Sequence, residues 1–173
     1  MDFTPLLARQ VHPAVAAVAG HCHEISAGRE MPRRQDFRPA PVRDHIGYLF
    51  LANVLAEEHD YYYSLGGAHI AQLYGQSLAN MRLSEVAKPV AAKLFQTYDA
   101  VVASRTFQYV RGRCTWPDRS VDIERLLVPM TGREGELDTI LGLVVPNVPT
   151  DMLVLYTGMG TATLSIDEEI TGS

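Results

Sequence analysis

The sequence has little cysteine, no long apolar run and no basic cluster, and each shortage removes a class of protein. Cys22 and Cys114 are the only cysteines among 173 residues and lie far apart, so neither a disulfide framework nor a paired-thiol redox motif is available. Both read as buried thiols. The opening Met1-Asp2-Phe3-Thr4-Pro5 has no basic segment followed by an apolar stretch, and no later run approaches the roughly 20 apolar residues that a membrane helix needs. The expectation is a soluble, cytoplasmic protein. The formal net charge is -5 and Arg33-Arg34 is the one adjacent basic pair, which leaves no broad basic surface; nucleic acid is not an expected partner.

Catalytic signatures are equally scarce. There is no Gly-x-Ser-x-Gly elbow, and the glycines of Gly66-Gly67 and Gly158-Met159-Gly160 lack the lysine and Ser/Thr of a phosphate-binding loop. The carboxylate pairs Glu57-Glu58 and Glu168-Glu169 sit in polar surroundings typical of solvated turns, and acid/base catalysis would need burial to tune them. His21-Cys22-His23-Glu24 has metal-binding residue types, but on a helix neighbours point about 100° apart and only residues three or four apart share a face. No metal site is expected, exposed histidines flanking a buried thiol being the reading, and no motif requires a cofactor.

What is present is a single domain's worth of patterned sequence, 47% hydrophobic. Pro13 to Ala27 predicts a leading helix, with Pro13 in its first turn and Gly28 at its exit. Along it Val11, Val15, Val18, Cys22 and Ile25 recur at spacings of four and three, a two-heptad seam that fits either a second copy of the chain or its own domain. A homodimer through this seam is the expectation, with those five residues as its interface. Residues 29–41, charged and carrying three prolines, form a connector. Val42 to Gly47 suggests one helical turn, Tyr48 to Leu55 a buried strand, and the tyrosine-rich Asp60 to Leu65 its hairpin partner. At Gly66-Gly67 the apolar period changes from two to helical at Ile70, Leu73 and Tyr74. A short helix near Leu83 to Val86 and a long one over Pro89 to Arg105 follow, the latter apolar at Val90, Leu94, Tyr98, Val101 and Val102. Three strands come next, Phe107 to Trp116, Ser120 to Pro129 and Leu137 to Val145.

Short connections make this an α+β fold, a five-stranded antiparallel sheet with helices between strands two and three, collected on one face. The expected division is an N-terminal helix and connector over 1–41, a sheet domain over 42–146 and a C-terminal extension over 147–173. In the extension Leu153 to Tyr156 and Ala162 to Ile166 look like strands split by Thr157-Gly158-Met159-Gly160, an extra hairpin or a docked arm.

Several strings in this order resemble a bacterial PAS-domain family from about His12 to Val145: His12-Pro13, Pro32-Arg33-Arg34-Gln35-Asp36-Phe37-Arg38-Pro39, Leu49-Phe50-Leu51, Leu65-Gly66-Gly67, Leu73-Tyr74-Gly75, Val128-Pro129-Met130 and Ile140-Leu141-Gly142. Ser64 stands where that family commonly has arginine, and Ala79-Asn80 where it commonly has Thr-Gly, so roles attached to those positions do not carry over. The resemblance implies a PAS-like fold and a sensory or regulatory module that binds a small molecule, a protein partner, or both. Without an output domain of its own, the signal is expected to leave through another protein. The fold so implied brings Tyr63, His69, Leu73, Tyr74, Tyr98, Cys114, Trp116 and Arg125 together as ligand-pocket candidates, apolar walls with a few polar points. A small hydrolase or isomerase using Tyr and His, and a ligand-free dimerisation scaffold, are the alternatives.

Overall fold

The leading helix starts and stops where local chemistry dictates. The computed structural model describes residues 1–86, 88–156 and 162–172. A short helix α1 (Thr4–Leu7) precedes α2 (Pro13–Ser26). Pro13 occupies the first turn of α2, where its missing N–H costs nothing, and the His12 imidazole Nδ1 accepts the Ala14 N–H at 3.1 Å. Ala27 ends the helix in the left-handed conformation, φ 46°, one residue before Gly28.

A 3-10 segment (Ala40–Tyr48) leads into β1 (Leu49–Leu55), which pairs antiparallel with β2 (Asp60–Gly66). Gly67 then begins α3 (Ala68–Tyr74). A side chain there would place its Cβ 2.4 Å from the Gly47 carbonyl oxygen and 2.5 Å from that of Ile46, so the close approach of two backbones requires glycine. After a 3-10 turn (Leu83–Glu85), α4 (Lys88–Ser104) leads to β3 (Gln108–Thr115), β4 (Ser120–Thr131) and β5 (Leu137–Pro146).

Among the described residues the strands pair antiparallel, and the order is β2-β1-β5-β4-β3 with a sixth strand, β6 (Thr163–Thr171), on the outer edge of β3. The five-stranded sheet with its helices between β2 and β3 is therefore as the sequence predicts. The extension differs from its expected hairpin. Its first half, Thr150–Tyr156, is a 3-10 segment that packs on α3, with Leu153 wholly enclosed and the Tyr48 and Thr150 hydroxyls 3.0 Å apart. Its second half runs longer than expected and completes the sheet, because the edge of β3 offers unpaired backbone groups that a neighbouring strand satisfies. Thr157-Gly158-Met159-Gly160 and the side chain of Val90 lie outside the described residues.

Helices cover both faces of the sheet rather than one. On the front, α4 brings Tyr98 against Phe50 and Tyr61. By strand alternation and register Ala52, Tyr63, Val110, Cys114, Arg125, Leu127 and Gly142 share that face. The back holds Leu51, Tyr109, Leu126, Val128, Leu141 and Leu143 and is covered by α2, which packs on β4 and β5. The N-terminal segment is tied down on this side. Phe3 stacks on Phe107 at 4.5 Å, the Glu124 carboxylate accepts the His12 N–H at 2.9 Å, and the Arg111 guanidinium donates to the Gln10 carbonyl at 2.6 Å.

The seam of α2 is consequently occupied within the chain. Val15, Val18 and Cys22 are at most 1% exposed, and Val11 and Ile25 pack against the same core. This corrects the homodimer expectation for these residues: heptad spacing marks an apolar stripe but not what covers it, and here the stripe meets the sheet.

Candidate functional site

The interior face of the sheet gathers tyrosines around one arginine. On β2, alternation turns Tyr61 and Tyr63 inward; on α4, Tyr98 reaches back to meet them. The Tyr63 and Tyr98 hydroxyls lie 3.0 Å apart, fully enclosed, and Tyr61 donates its hydroxyl to the Asp99 carboxylate at 2.7 Å. Phe50 stands edge-on to Tyr63 at 5.6 Å, its ring lying over Gly142.

Arg125 enters this face from β4. Its residue as a whole is half-buried, but its Nε is enclosed and has no hydrogen-bond partner among the described residues. Nη2 donates to Gln108 Oε1 at 3.1 Å, and Gln108 Nε2 donates in turn to the Glu169 carboxylate of β6 at 2.7 Å. Burial lowers the Arg125 pKa, opposed by the nearby Tyr98 and Tyr74 hydroxyls, Glu169 and Cys114. A guanidinium nonetheless keeps its charge in proteins. The cation's field is felt by its neighbours. Burial pushes Tyr74 up to about 12 and Cys114 up to about 11, and Arg125 opposes both shifts.

Of the eight candidates, the structure thus brings Tyr63, Tyr74, Tyr98, Cys114 and Arg125 into one cluster drawn from five elements. Leu73 is enclosed in the core beside Tyr74. Trp116 lies past Cys114 in the β3–β4 connection, where its backbone N–H donates to the Arg119 carbonyl at 2.8 Å and the Arg119 guanidinium sits 5.0 Å from its ring centre. His69 looks elsewhere: its ring packs on Tyr48 at 4.4 Å and its Nδ1 is 3.2 Å from Gln72 Oε1. Gln108 and Phe50 are cluster members that the sequence reading missed. Both depend on strand register, which patterning alone does not fix.

The string around Cys22 has other duties. His21 is buried, not exposed as expected, and its Nε2 accepts the Arg38 N–H at 3.2 Å, while exposed His23 accepts the Phe3 N–H at 3.3 Å. Among the described residues no group of three or more His, Cys, Asp or Glu is placed to hold a metal ion. Also among them, no helix is long and apolar enough to cross a membrane.

The enclosed phenols carry a pH dependence. Burial, first among the causes, raises the pKa of Tyr63, Tyr74 and Tyr98 above the ordinary value near 10. A group raised in the folded state contributes stability that is complete below its unfolded pKa and lost as pH rises through the folded one. Stability should therefore fall above about pH 10, by roughly 1 kcal/mol for each of the three at about pH 11. Urea midpoints at about pH 8 and about pH 11 check this; no fall between them would mean the three phenols ionise as freely folded as unfolded.

A six-stranded antiparallel sheet whose interior face is closed by helices inserted between its second and third strands is a PAS-like α+β architecture. The chain belongs to the PAS-domain family, whose model matches residues 10–145. No curated protein matches the chain. Solved structures of Vibrio cholerae VqmA are similar at low identity. The VqmA dimer in the absence of target DNA is 15% identical, with a TM-score of 0.46, over 62% of this chain and 50% of that one. VqmA bound to DPO gives the same identity and score, over 62% and 54%. A VqmA–ligand–DNA complex is 13% identical, with a TM-score of 0.44, over 56% and 45%. This chain therefore spans about half the length of those it matches.

Proposed function

We propose that this protein is a sensory PAS module that receives a small molecule on the interior face of its sheet, between the Tyr63–Tyr98 pair and Arg125, and reports occupancy to a protein partner without catalysing a reaction. The observation that carries this reading is the enclosed Nε of Arg125, which has no acceptor among the described residues and belongs to a cation beside the Tyr74 and Tyr98 hydroxyls. Interiors satisfy their polar groups, and a charged one left over at the centre of a tyrosine cluster is the chemistry of a receptor rather than of packing. Membership of the PAS-domain family supports the same reading.

Binding, not turnover, is what the residues suit. The phenols are held neutral by burial, the Cys114 thiol is pushed away from its reactive thiolate form, and the one histidine among the pocket candidates faces Tyr48. Native mass spectrometry of the purified protein, compared with the denatured chain, tests the proposal: a small molecule should be retained in the native spectrum and absent from the denatured one. If the native mass equals the chain's own and no small molecule raises the melting temperature, the interior is a filled core and the protein a scaffold.

A further inference from the structure

We infer that the ligand is a small carboxylic acid with an apolar or aromatic body, and that its carboxylate is received by the Nε–Nη2 edge of Arg125. This rests on the reading of the interior cluster as a receptor and adds the chemical class of what enters it.

The charge accounting points one way. Arg125 has no ion pair among the described residues, unlike Arg29 with Asp36 at 2.9 Å or Arg113 with Asp122 at 2.6 Å. The Nε of Arg29 is enclosed as that of Arg125 is, but Arg29 has its carboxylate and Arg125 has none in reach among the described residues. A guanidinium has five N–H donors; among the described residues Arg125 uses one, from Nη2 to an uncharged amide oxygen. An enclosed charge without a counter-charge is costly, so a negatively charged guest gains more here than a neutral one.

Geometry selects a carboxylate over other anions. Nε and Nη2 form one of the two forked edges of the guanidinium, which matches two carboxylate oxygens in parallel hydrogen bonds. Nε is unpartnered, and Nη2 is held by Gln108, whose own amide is engaged with Glu169. A carboxylate on this edge takes Nε outright and competes with Gln108 Oε1 for Nη2. The single cation favours a monoanion, and the Glu169 carboxylate behind Gln108 adds negative charge that disfavours a phosphate dianion. Around the edge, the Tyr63 and Tyr98 hydroxyls share one hydrogen bond, so one of their two hydrogens is left to donate. Phe50 and Tyr61 supply apolar surface for the remainder of the ligand.

The test uses the full chain and pairs of probes differing only in charge: benzoate against benzamide, and the short fatty acids from butyrate to octanoate against their amides. At least one acid should bind about tenfold or more tightly than its amide by calorimetry, as expected for a charge-assisted forked pair. Arg125→Gln should remove that preference. Because this variant could lose stability, the wild-type Arg125 Nε–H resonance provides a second readout: it should shift on addition of the acid and stay in place with the amide. Equal affinities of acid and amide, or an Nε–H signal indifferent to the acids, would overturn the inference. So would a retained molecule in the native spectrum that has no acidic group, and in that case the receptor reading itself would stand.

Discussion

Val18→Glu is expected to abolish cooperative folding. Val18 is 1% exposed, between Val15 and Cys22 on the stripe of α2 that covers the back of the sheet. A carboxylate at this position either ionises without a partner or takes up a proton at the expense of its normal acidity, and it overpacks a closed interface in both states. The combined cost is about 4 kcal/mol or more, most of the stability of an ordinary domain. Circular dichroism on heating should show a lost or strongly lowered transition. A folded monomer obtained from a wild-type dimer, seen by light scattering alongside an unchanged melt, would instead place this stripe between subunits.

The second large effect is expected at Gly142. A Cβ there would lie 1.9, 2.3 and 2.4 Å from three atoms of the Phe50 ring. Phe50 cannot step aside, because Tyr63 and Tyr98 flank it at 5.6 and 6.1 Å and it is only 4% exposed. Gly142→Val should cost about 3 kcal/mol through overpacking, even though valine suits a strand better than glycine. For a chain of this length that is a fall of roughly 6–12 °C in melting temperature. Adding Phe50→Leu should recover part of the loss, and a double-mutant cycle measures the coupling. A melting temperature unmoved by Gly142→Val would mean that the ring does not occupy this place.

Much of this fold is legible from local chemistry. Pro13 fixes where α2 begins, the Gly66-Gly67 pair marks the change from strand to helix, and alternation assigns Tyr61 and Tyr63 inward, though a bulge after Tyr63 turns Leu65 off the face that strict alternation would give it. The misreadings have physical causes. Leu153 to Tyr156 has the composition of a strand, yet the segment is a 3-10 turn against α3 with Leu153 buried, and apolar composition does not distinguish the two. The stripe of α2 shows that something covers it but not whether that is a sheet or a second chain. At the site, Tyr63, Tyr98 and Arg125 follow from the resemblance to PAS domains together with strand alternation. Gln108 does not, because its position opposite Leu127 and beside Arg125 is a fact of register between β3 and β4. His69 was expected in the cluster for its chemistry; the close approach of Gly47 and Tyr48 gives its ring another seat.

Glu124 and Arg125 are consecutive on β4 and project to opposite sides of the sheet. Glu124 holds the backbone of His12, the residue that caps α2, while Arg125 belongs to the interior cluster. Antiparallel pairing with β3 on one edge and β5 on the other holds β4 in place, so the two side chains stand back to back across one fixed strand. One residue step along β4 therefore separates the interior cluster from the residue that caps the opening turn of α2.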